Sequence, residues 1–592
     1  MTVPAPTTHR ATAEADLVSA HTLLGCLVRE VAGPDRQVAL DSGHLLVRLP
    51  HIGGLVRARL HRLSTVAAHR FTGPVQRHAA ATAWENISLD ELAALVDAEL
   101  AARTGETNDE FTTQIRGSRD ALADILVTRP ASPARAVAQP AAAYLDSEQA
   151  LITGHPRHPA PKWRSGDPVQ WRRYSPETRT TFGLRWLAAP QELIREHAVD
   201  RDFDTHAATA ELLGHGAGQV PAGYRALPVH PWQFQLLSTD PDLGPVLTAA
   251  VADGTLRDLG QVGLPFHPTA SVRTLYQPEA DLFLKTSLHV RITNCLRKNA
   301  DYELSGAVEL TRLLAAPVAA IATRHPGFAV LPEPAARSVA LPDRHGTPAQ
   351  RHALLEGMGT IIRAGITGKL RSGEHVHLAA TLATAHPDPA GTRTRLADLA
   401  DGTDPAAWAH QWWCRYLALL VPPVLRLWAD HGVVLEPHLQ NILAVLDTGN
   451  MPTRVLARDL EGTKLLAHRH TVALATLPVE VARAAAYDEE RGWNRIAYCL
   501  FVNHLTEIAG ALADLVPGSP RFEDELWDTL AELLADVSAE LGDPPRLRAL
   551  LAGVPLPAKT NLLIRWQRRA DRHAGYVPFP NPLGRALPED NR

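Results

Sequence analysis

Two proline-bearing stretches constrain the fold of this chain more than any other feature. Proline cannot continue a helix and is excluded from the middle of a sheet, so regular structure must break where prolines cluster. The first stretch covers residues 129–140. The second contains Pro317, Pro326, Pro332, Pro334, Pro342 and Pro348. Because 592 residues also exceed what one hydrophobic core supports, we expect three domains, at residues 1–140, 141–315 and 316–592.

Strand and helix periodicities both occur, which predicts an α+β multidomain fold. Alternating apolar residues predict two strands at 38–49 and 55–63, which would form a hairpin. Ser88 and Glu91 have the spacing of a capping box and predict a helix that begins there. Beyond residue 348 the patterns are mostly helical, for example at 525–534.

The charge balance excludes several classes of function. The chain has 59 Lys and Arg residues against 64 Asp and Glu residues, so it lacks the basic surface that a nucleic-acid or membrane-surface protein needs. We expect no signal peptide and no transmembrane segment, and the four scattered cysteines favour a reducing compartment. We therefore expect a cytoplasmic protein, and we expect it to be a homodimer. Any site for an anion must be a local cluster of cations.

Residues 154–162 form the first candidate site. This segment carries His155, His158 and Lys162, and three prolines keep it out of a helix. Lysine is rare in this chain, with six among the 59 basic residues. A rigid loop with polar side chains predicts a binding site, although a structural loop with solvated histidines is the alternative.

The second candidate site lies on two predicted strands, 271–276 and 282–292. If Tyr276 faces Leu282, Arg273 lies opposite Lys285 on one face of the sheet. Facing cations repel each other unless an anion lies between them. A helix beginning at Thr293 and Asn294 would bring Arg297 into its first turn, where anions are also favoured. These residues predict a polyphosphate site, and a solvated strand face is the alternative.

The third candidate site is the segment 436–441 and the hairpin that follows it. If Asp447 faces Thr453 across the turn, Asn441 lies opposite Asp459. An amide oxygen and a carboxylate oxygen in this arrangement suit a magnesium ion that bridges nucleotide phosphates. Taken alone, the segment could equally be a polar entry to a strand.

Together these motifs resemble the NRPS-independent siderophore synthetases, also called the IucA/IucC or aerobactin-synthetase family. The resemblance covers most of the chain in one order, with Leu439 standing where the family often has glycine. The segments that carry it are 155–159 with Lys162, 230–233, 271–274, Lys285, 293–294 with Arg297, 436–441 and 458–462. Lys559 resembles the basic C-terminal segment of the family.

The resemblance implies a cupped-hand fold of thumb, fingers and palm, with antiparallel sheet in the fingers and a mostly helical palm. It implies that a carboxylate such as citrate attacks ATP to give an acyl-adenylate, which an amine or hydroxyl then captures. The implied catalytic residues are His155, Lys162, Arg297 and His438. The implied ATP-binding residues are Ser271, Arg273, Thr274, Lys285, Asn294, Arg297, His438, Gln440, Asn441 and Asp459. Substrate would bind at His155, His158, Lys162, Arg297 and Lys559, and Mg²⁺ at Glu436, Asn441 and Asp459.

Two other functions compete with this interpretation. A kinase-like phosphotransferase that transfers the γ-phosphate could use Asn441 and Asp459 equally well, but the usual catalytic loop and glycine-rich lid are absent. An iron-siderophore reductase would need clustered cysteines for an iron–sulfur centre, and the four cysteines are dispersed.

Overall fold

A computed structural model describes residues 8–79, 83–131, 137–199, 203–293, 295–386, 393–400, 404–569 and 574–585. It is a mixed α/β structure in which helices pack against several largely antiparallel sheets. Helices not mentioned below are Ala141–Gln149, Pro168–Tyr174, Thr205–Leu213, Pro231–Thr239, Gly244–Ala252, Pro348–Gly357, Ala379–Ala383, Arg395–Leu399, Thr471–Thr476, Val479–Ala485 and Pro545–Leu551.

The N-terminal region is a five-stranded antiparallel sheet packed with three helices. Its strands are Val38–Asp41, His44–Leu49, Gly54–Arg62, Arg70–His78 and Trp84–Asn86, and its helices are Thr8–Leu27, Leu89–Thr104 and Phe111–Thr128. The single strand predicted at 38–49 is wrong, because Ser42 and Gly43 adopt left-handed backbone and reverse the chain. The capping box at Ser88 and Glu91 is confirmed.

An eight-stranded antiparallel sheet forms the middle of the molecule. In spatial order its strands are Ile194–Ala198, Ala335–Val339, Thr360–Ala364, Leu282–Thr286, Thr274–Gln277, Arg257–Pro268, Phe182–Pro190 and Tyr224–Val229. Two of these strands follow residue 315, which itself lies inside the helix Asp301–Arg324. The sheet therefore contains strands from both sides of the expected boundary at residue 315. The three-domain division stays a prediction.

The C-terminal region surrounds the largest apolar cluster. A four-stranded sheet, in the order Phe328–Val330, Pro452–Ala457, Ile442–Leu446 and His375–Leu378, packs on the long helix Pro405–His431. The predicted helix at 525–534 is confirmed within Phe522–Glu540. The smaller sheets consist of Val433–Val434, Lys464–Leu466 and Ala486–Tyr487, of Leu288–Ile292 and Cys295–Arg297, and of Leu556–Lys559 and Tyr576–Phe579.

Two helical segments are long and apolar enough to cross a membrane, Asp301–Arg324 and Glu489–Ala513. The second combines Glu489–Ile496, the π-helical segment Ala497–Leu505 and Thr506–Ala513. Its apolar window is fully buried within the protein, whereas that of the first is 39% buried. Core helices have the same length and composition, so these segments do not overturn the expectation that none crosses a membrane. That expectation stays a prediction.

Candidate active site

The two strands at the second candidate site pair one residue away from the predicted register. Tyr276 faces Phe283, and Thr274 rather than Arg273 faces Lys285. The predicted pairing of Tyr276 with Leu282 is therefore wrong. The reason is that the strand continues through Gln277, which faces Leu282 and shortens the connecting loop by one residue. Because Arg273 lies in the turn before the strand, its side chain does not follow the alternation of the sheet.

Arg273 and Lys285 nevertheless converge on the same carboxylate. Lys285 Nζ lies 2.6 Å from Glu461 Oε2 and 2.6 Å from Asp459 Oδ1. Arg273 Nη2 lies 3.4 Å from the same Glu461 oxygen. The anion expected between the two cations is thus supplied by the chain itself. We call this group of Arg273, Lys285, Asp459 and Glu461 the charge cluster.

The carboxylates of the charge cluster are ionised at neutral pH. Burial raises the pKa of Glu461, but the charges of Lys285 and Arg273 outweigh burial and lower that pKa to about 2. Burial likewise opposes ionisation of Asp459, and the charges of Lys285 and Arg363 lower its pKa well below the ordinary range. About a third of each carboxylate side chain is exposed, at 33% for Asp459 and 34% for Glu461, whereas Lys285 is 2% exposed.

The third candidate site also differs from prediction by one residue. Ile442 faces Ala457, and the Asn441 carbonyl accepts a 3.0 Å hydrogen bond from the Arg458 N–H. Asn441 therefore lies opposite Arg458, and the predicted pairing with Asp459 is wrong. The physical reason is a turn shorter than predicted, because Asp447 faces Met451 rather than Thr453. An irregularity between Val445 and Leu446 then leaves an offset of one residue.

The two carboxylates among the three predicted magnesium ligands pair with different cations. Glu436 Oε1 lies 2.7 Å from Arg495 Nη1, and the Asn441 amide donates to the Glu436 carbonyl at 3.2 Å. A Cβ atom on Gly462 would lie 2.1 Å from Glu436 Oε2, so a larger side chain there would displace this carboxylate. Within the described residues no group of three or more His, Cys, Asp or Glu side chains is arranged to hold a metal. Asp459 belongs instead to the charge cluster, beside Glu461.

The histidines of the loops 154–162 and 436–441, which we call the histidine loops, share one hydrogen-bonding pattern. Nδ1 of His155 accepts from the Arg157 N–H at 3.0 Å, Nδ1 of His158 from the Ala160 N–H at 3.1 Å and Nδ1 of His438 from the Gln440 N–H at 3.2 Å. Burial lowers the pKa of His155 and of His438, so both rings are neutral at pH 7. A neutral ring that accepts at Nδ1 carries its proton at Nε2. His438 therefore has an Nε2–H that can donate, whereas Nε2 of His155 already faces the side-chain amide of Asn503.

His155 lies deep in the molecule and is still exposed to solvent, as expected for the wall of a cleft. After burial, the proximity of other basic groups, among them His158, His438 and Lys559, contributes to lowering its pKa. Its Nε2 lies 2.8 Å from Asn503 Nδ2, and Asn503 Oδ1 accepts from the Leu439 N–H at 3.2 Å. The structure thus brings His155, His438 and Lys559 into one neighbourhood.

Two other predicted site residues, Lys162 and Arg297, contact neighbouring groups of the protein. Lys162 Nζ contacts Glu177 Oε1 at 2.5 Å and the Leu151 carbonyl at 2.7 Å. Arg297 lies in a strand that pairs with Leu288–Ile292, so the helix start predicted at Thr293 is wrong. The following helix begins at Asp301. Asn294 lies outside the described residues.

The remaining predicted residues support these turns. Ser271 Oγ accepts from the Thr274 N–H at 3.0 Å, which stabilises the turn that carries Arg273. The Gln440 carbonyl accepts from the Arg458 guanidinium at 2.8 Å.

Sequence reasoning missed three residues at this site, namely Glu461, Asn299 and Asn503. Asn299 is fully buried, accepts from Arg273 Nη1 and donates to the Lys285 carbonyl at 2.9 Å. The sequence could have indicated Glu461, because it follows the predicted site residue Asp459 by two residues. Asn299 and Asn503 carry no local sequence signal, because their partners lie on other elements.

Comparison with known proteins agrees with this geometry. A family model described as IucA / IucC family matches residues 143–384, and one described as ferric iron reductase FhuF-like transporter matches residues 410–574. The chain is 30% identical to the rhizobactin siderophore biosynthesis protein RhbC of Rhizobium meliloti, over 95% of this chain and 96% of that protein. It is 29% identical to the L-2,3-diaminopropanoate–citrate ligase of Staphylococcus aureus, over 74% of each chain.

The fold is also that of a solved structure. The ATP-bound aerobactin synthetase IucA of Klebsiella pneumoniae superposes with a TM-score of 0.81 and 24% sequence identity, over 96% of this chain and 99% of that one. The predicted resemblance is confirmed, since the similarity to RhbC extends over nearly the whole of both chains. The chain belongs to the IucA/IucC family and is a ligase of siderophore biosynthesis.

Proposed function

We propose that this enzyme uses ATP to adenylate a carboxylate, with citrate as the first candidate, and condenses the acyl-adenylate with an amine or hydroxyl. AMP and pyrophosphate are the other products. The observation that carries the proposal is the convergence of Arg273 and Lys285 on partly exposed carboxylates. Relatives named as citrate ligases, among them the Staphylococcus aureus protein, support the choice of acid.

The charge cluster suits a nucleotide because its ion pairs can exchange partners. Lys285 and Arg273 lose little if a phosphate oxygen replaces a carboxylate oxygen, since both are anionic acceptors. The displaced carboxylates are then available to a cation. In this reaction the electrostatic stabilisation of the charge that develops on the α-phosphate and the leaving pyrophosphate is expected to supply much of the rate.

Magnesium fits the oxygens of this cluster. Asp459 and Glu461 are ionised, partly exposed and close enough to share one ammonium group, and hard oxygen ligands are those that Mg²⁺ prefers. We therefore assign Mg²⁺ to Asp459 and Glu461, with Asn441 and Glu436 outside the ligand set. The ion would supply positive charge that neutralises the phosphates of ATP.

The histidine loops are proposed to bind the anionic groups next to the cluster. The Nε2–H of His438 donates a hydrogen bond without adding charge, and Lys559 adds one cation. His155 lies in the same neighbourhood, where Asn503 contacts its ring. Ser271, Thr274 and Gln440 complete the nucleotide side, and His158 and Arg297 the acid side. In the cupped-hand arrangement these groups lie between thumb, fingers and palm.

Exchange of labelled pyrophosphate into ATP tests this function. With ATP, magnesium and citrate present and no amine, the proposal requires exchange, because adenylation is reversible and precedes condensation. Hydroxylamine should then trap the activated acid as a hydroxamate. If the acid-dependent products are ADP and phosphate with no AMP, the enzyme is instead the kinase-like phosphotransferase.

The match to the FhuF-like family does not lead us to propose a reductase. That segment contains two cysteines, Cys414 and Cys499. An all-cysteine iron–sulfur cluster takes four cysteine ligands.

A further inference from the structure

A buried glutamate of the N-terminal region binds the segment that follows Lys559. Glu30 lies in the π-helical turn Val28–Ala32 and is 1% exposed. Its carboxylate accepts from the backbone N–H groups of Asn561 at 2.9 Å, Leu562 at 2.8 Å and Leu563 at 3.1 Å. These three donors begin the short helix Asn561–Trp566. A residue more than 500 positions earlier in the chain therefore holds this helix in place.

Arg29, the residue before Glu30, binds the backbone of the histidine loop 154–162. Arg29 Nη2 donates to the Arg157 carbonyl at 3.2 Å, and Asn561 Nδ2 donates to that same carbonyl at 2.8 Å. Arg157 Nε in turn lies 2.6 Å from Glu507 Oε1 in the C-terminal region. Arg29, Glu30, Arg157, Glu507 and Asn561 thus form one buried group, which we call the junction.

The junction lies two residues away from two proposed substrate-binding side chains. Lys559 precedes Asn561 by two residues, and His155 precedes Arg157 by two residues. Arg29 donates a hydrogen bond to the backbone at Arg157, and Glu30 accepts one from the backbone at Asn561. Charged groups in such a buried position are costly to leave unpaired. Loss of the Glu30 charge is therefore expected to displace the segment that carries Lys559.

We propose that Glu30 is a positioning residue, which places Lys559 relative to His155 for binding of the carboxylate substrate. The N-terminal region thereby contributes to the active site without contacting substrate. This inference rests on the proposed function, since it assumes that Lys559 and His155 bind the acid.

Glu30→Gln is the variant that tests the inference. The amide replaces one acceptor oxygen by a donor that faces backbone N–H groups. Because misplacing a binding group by about 1 Å costs up to about 100-fold in rate, kcat/KM for the acid should fall 10- to 100-fold in the exchange assay, mainly through KM.

Glu99→Gln is the matched control. Glu99 is also 1% exposed, and its carboxylate also accepts from backbone N–H groups, those of His51 at 3.1 Å and Ile52 at 3.2 Å. It lies in the same N-terminal region, and among the described residues its hydrogen bonds go to His51 and Ile52 instead of the histidine loop or the Lys559 segment. We expect Glu99→Gln to lower the melting temperature to a similar extent and to leave kcat/KM unchanged. Equal kinetic effects of the two variants would overturn the inference.

A double-mutant cycle separates positioning from general destabilisation. If Glu30 acts through Lys559, Glu30→Gln should have little further effect on kcat/KM in a Lys559→Ala background. If the fold-losses in kcat/KM of the two single variants multiply in the double variant, the inference is overturned.

The cycle also separates this inference from the proposed function. A Lys559→Ala enzyme with normal kinetics contradicts the role of Lys559 itself and, with it, this inference. A strongly impaired Lys559→Ala enzyme beside an unimpaired Glu30→Gln enzyme contradicts the inference alone. If Glu30→Gln fails to fold, Asn561→Ala replaces it. This variant removes the hydrogen bond from the Asn561 side-chain amide to the Arg157 carbonyl, and the same cycle with Lys559→Ala gives the same decision.

Discussion

The surroundings of Lys285 and of Lys162 differ, although the sequence predicts that both lysines bind anions. Each lysine is at least 90% buried and forms an ion pair. The partners of Lys285 are two carboxylates that are about one third exposed, whereas Glu177, the partner of Lys162, is 7% exposed. An incoming phosphate or metal ion can therefore reach the first pair and not the second. The exposure of the partner, rather than that of the cation, distinguishes an exchangeable ion pair from a structural one.

The largest effect is expected for Lys285→Ala. Loss of one preorganised cation should slow pyrophosphate exchange by about 10²–10³-fold. Lys369→Ala is the control, because Lys369 is an exposed lysine remote from the charge cluster in sequence, and it should exchange at the wild-type rate. An active Lys285→Ala enzyme would remove the distinction between the two lysines.

A smaller loss is expected for Asp459→Asn. Asparagine tolerates the left-handed backbone at this position, where φ is 72°, so the fold should be retained. Removing one of two anionic ligands should reduce turnover by about 100-fold and raise the magnesium concentration needed for half-maximal exchange. Circular dichroism checks the fold, and a magnesium titration checks the ligand. Near-normal activity at ordinary magnesium concentration would refute the assignment.

Lys162→Met should affect stability instead of chemistry. It leaves Glu177 buried without its partner, which costs about 3–5 kcal/mol of unfolding free energy. Combining it with Glu177→Leu should recover most of that loss, because an apolar pair can replace a buried ion pair. Urea unfolding measures the stabilities. If the double variant is stable but about 100-fold slower in exchange, Lys162 is the catalytic lysine that the sequence predicts.

The smallest effect concerns the pH dependence of stability. Burial raises the pKa of the Glu177 carboxyl, but the charges of Lys162 and Arg164 outweigh burial and lower that pKa below its ordinary 4.5. The stabilisation is therefore complete above about pH 4.5 and is lost as the pH falls through the lower, folded-state value. Glu177→Gln should lose less stability than the wild type between about pH 5 and 3. Urea midpoints that fall in parallel for both proteins would contradict this.

Local patterns in the sequence were sufficient to identify most of the elements of the site. Alternation predicted the hairpin after Asn441 and the strand that carries Lys285, although the single strand predicted at 282–292 is wrong, because it divides after Thr286 into strands of two different sheets. The capping box at Ser88 predicted its helix. These features depend on residues that are close in sequence, so propensity and periodicity reveal them. The motif order similarly identified the family, because shared ancestry preserves it independently of register.

The tertiary structure decided which side chains meet. Both strand registers differ from prediction by one residue, because both connecting turns are shorter than predicted. Gln277 extends the first strand, and Asp447 faces Met451 in the second hairpin. A shift by one residue changes which residues face each other across two strands, so Asn441 faces Arg458. The carboxylates at Lys285, those of Asp459 and Glu461, come from another part of the chain. The contacts of Asn503 and Glu30 join segments hundreds of residues apart. No local pattern encodes such contacts, since they arise only when the packed elements bring the partners together.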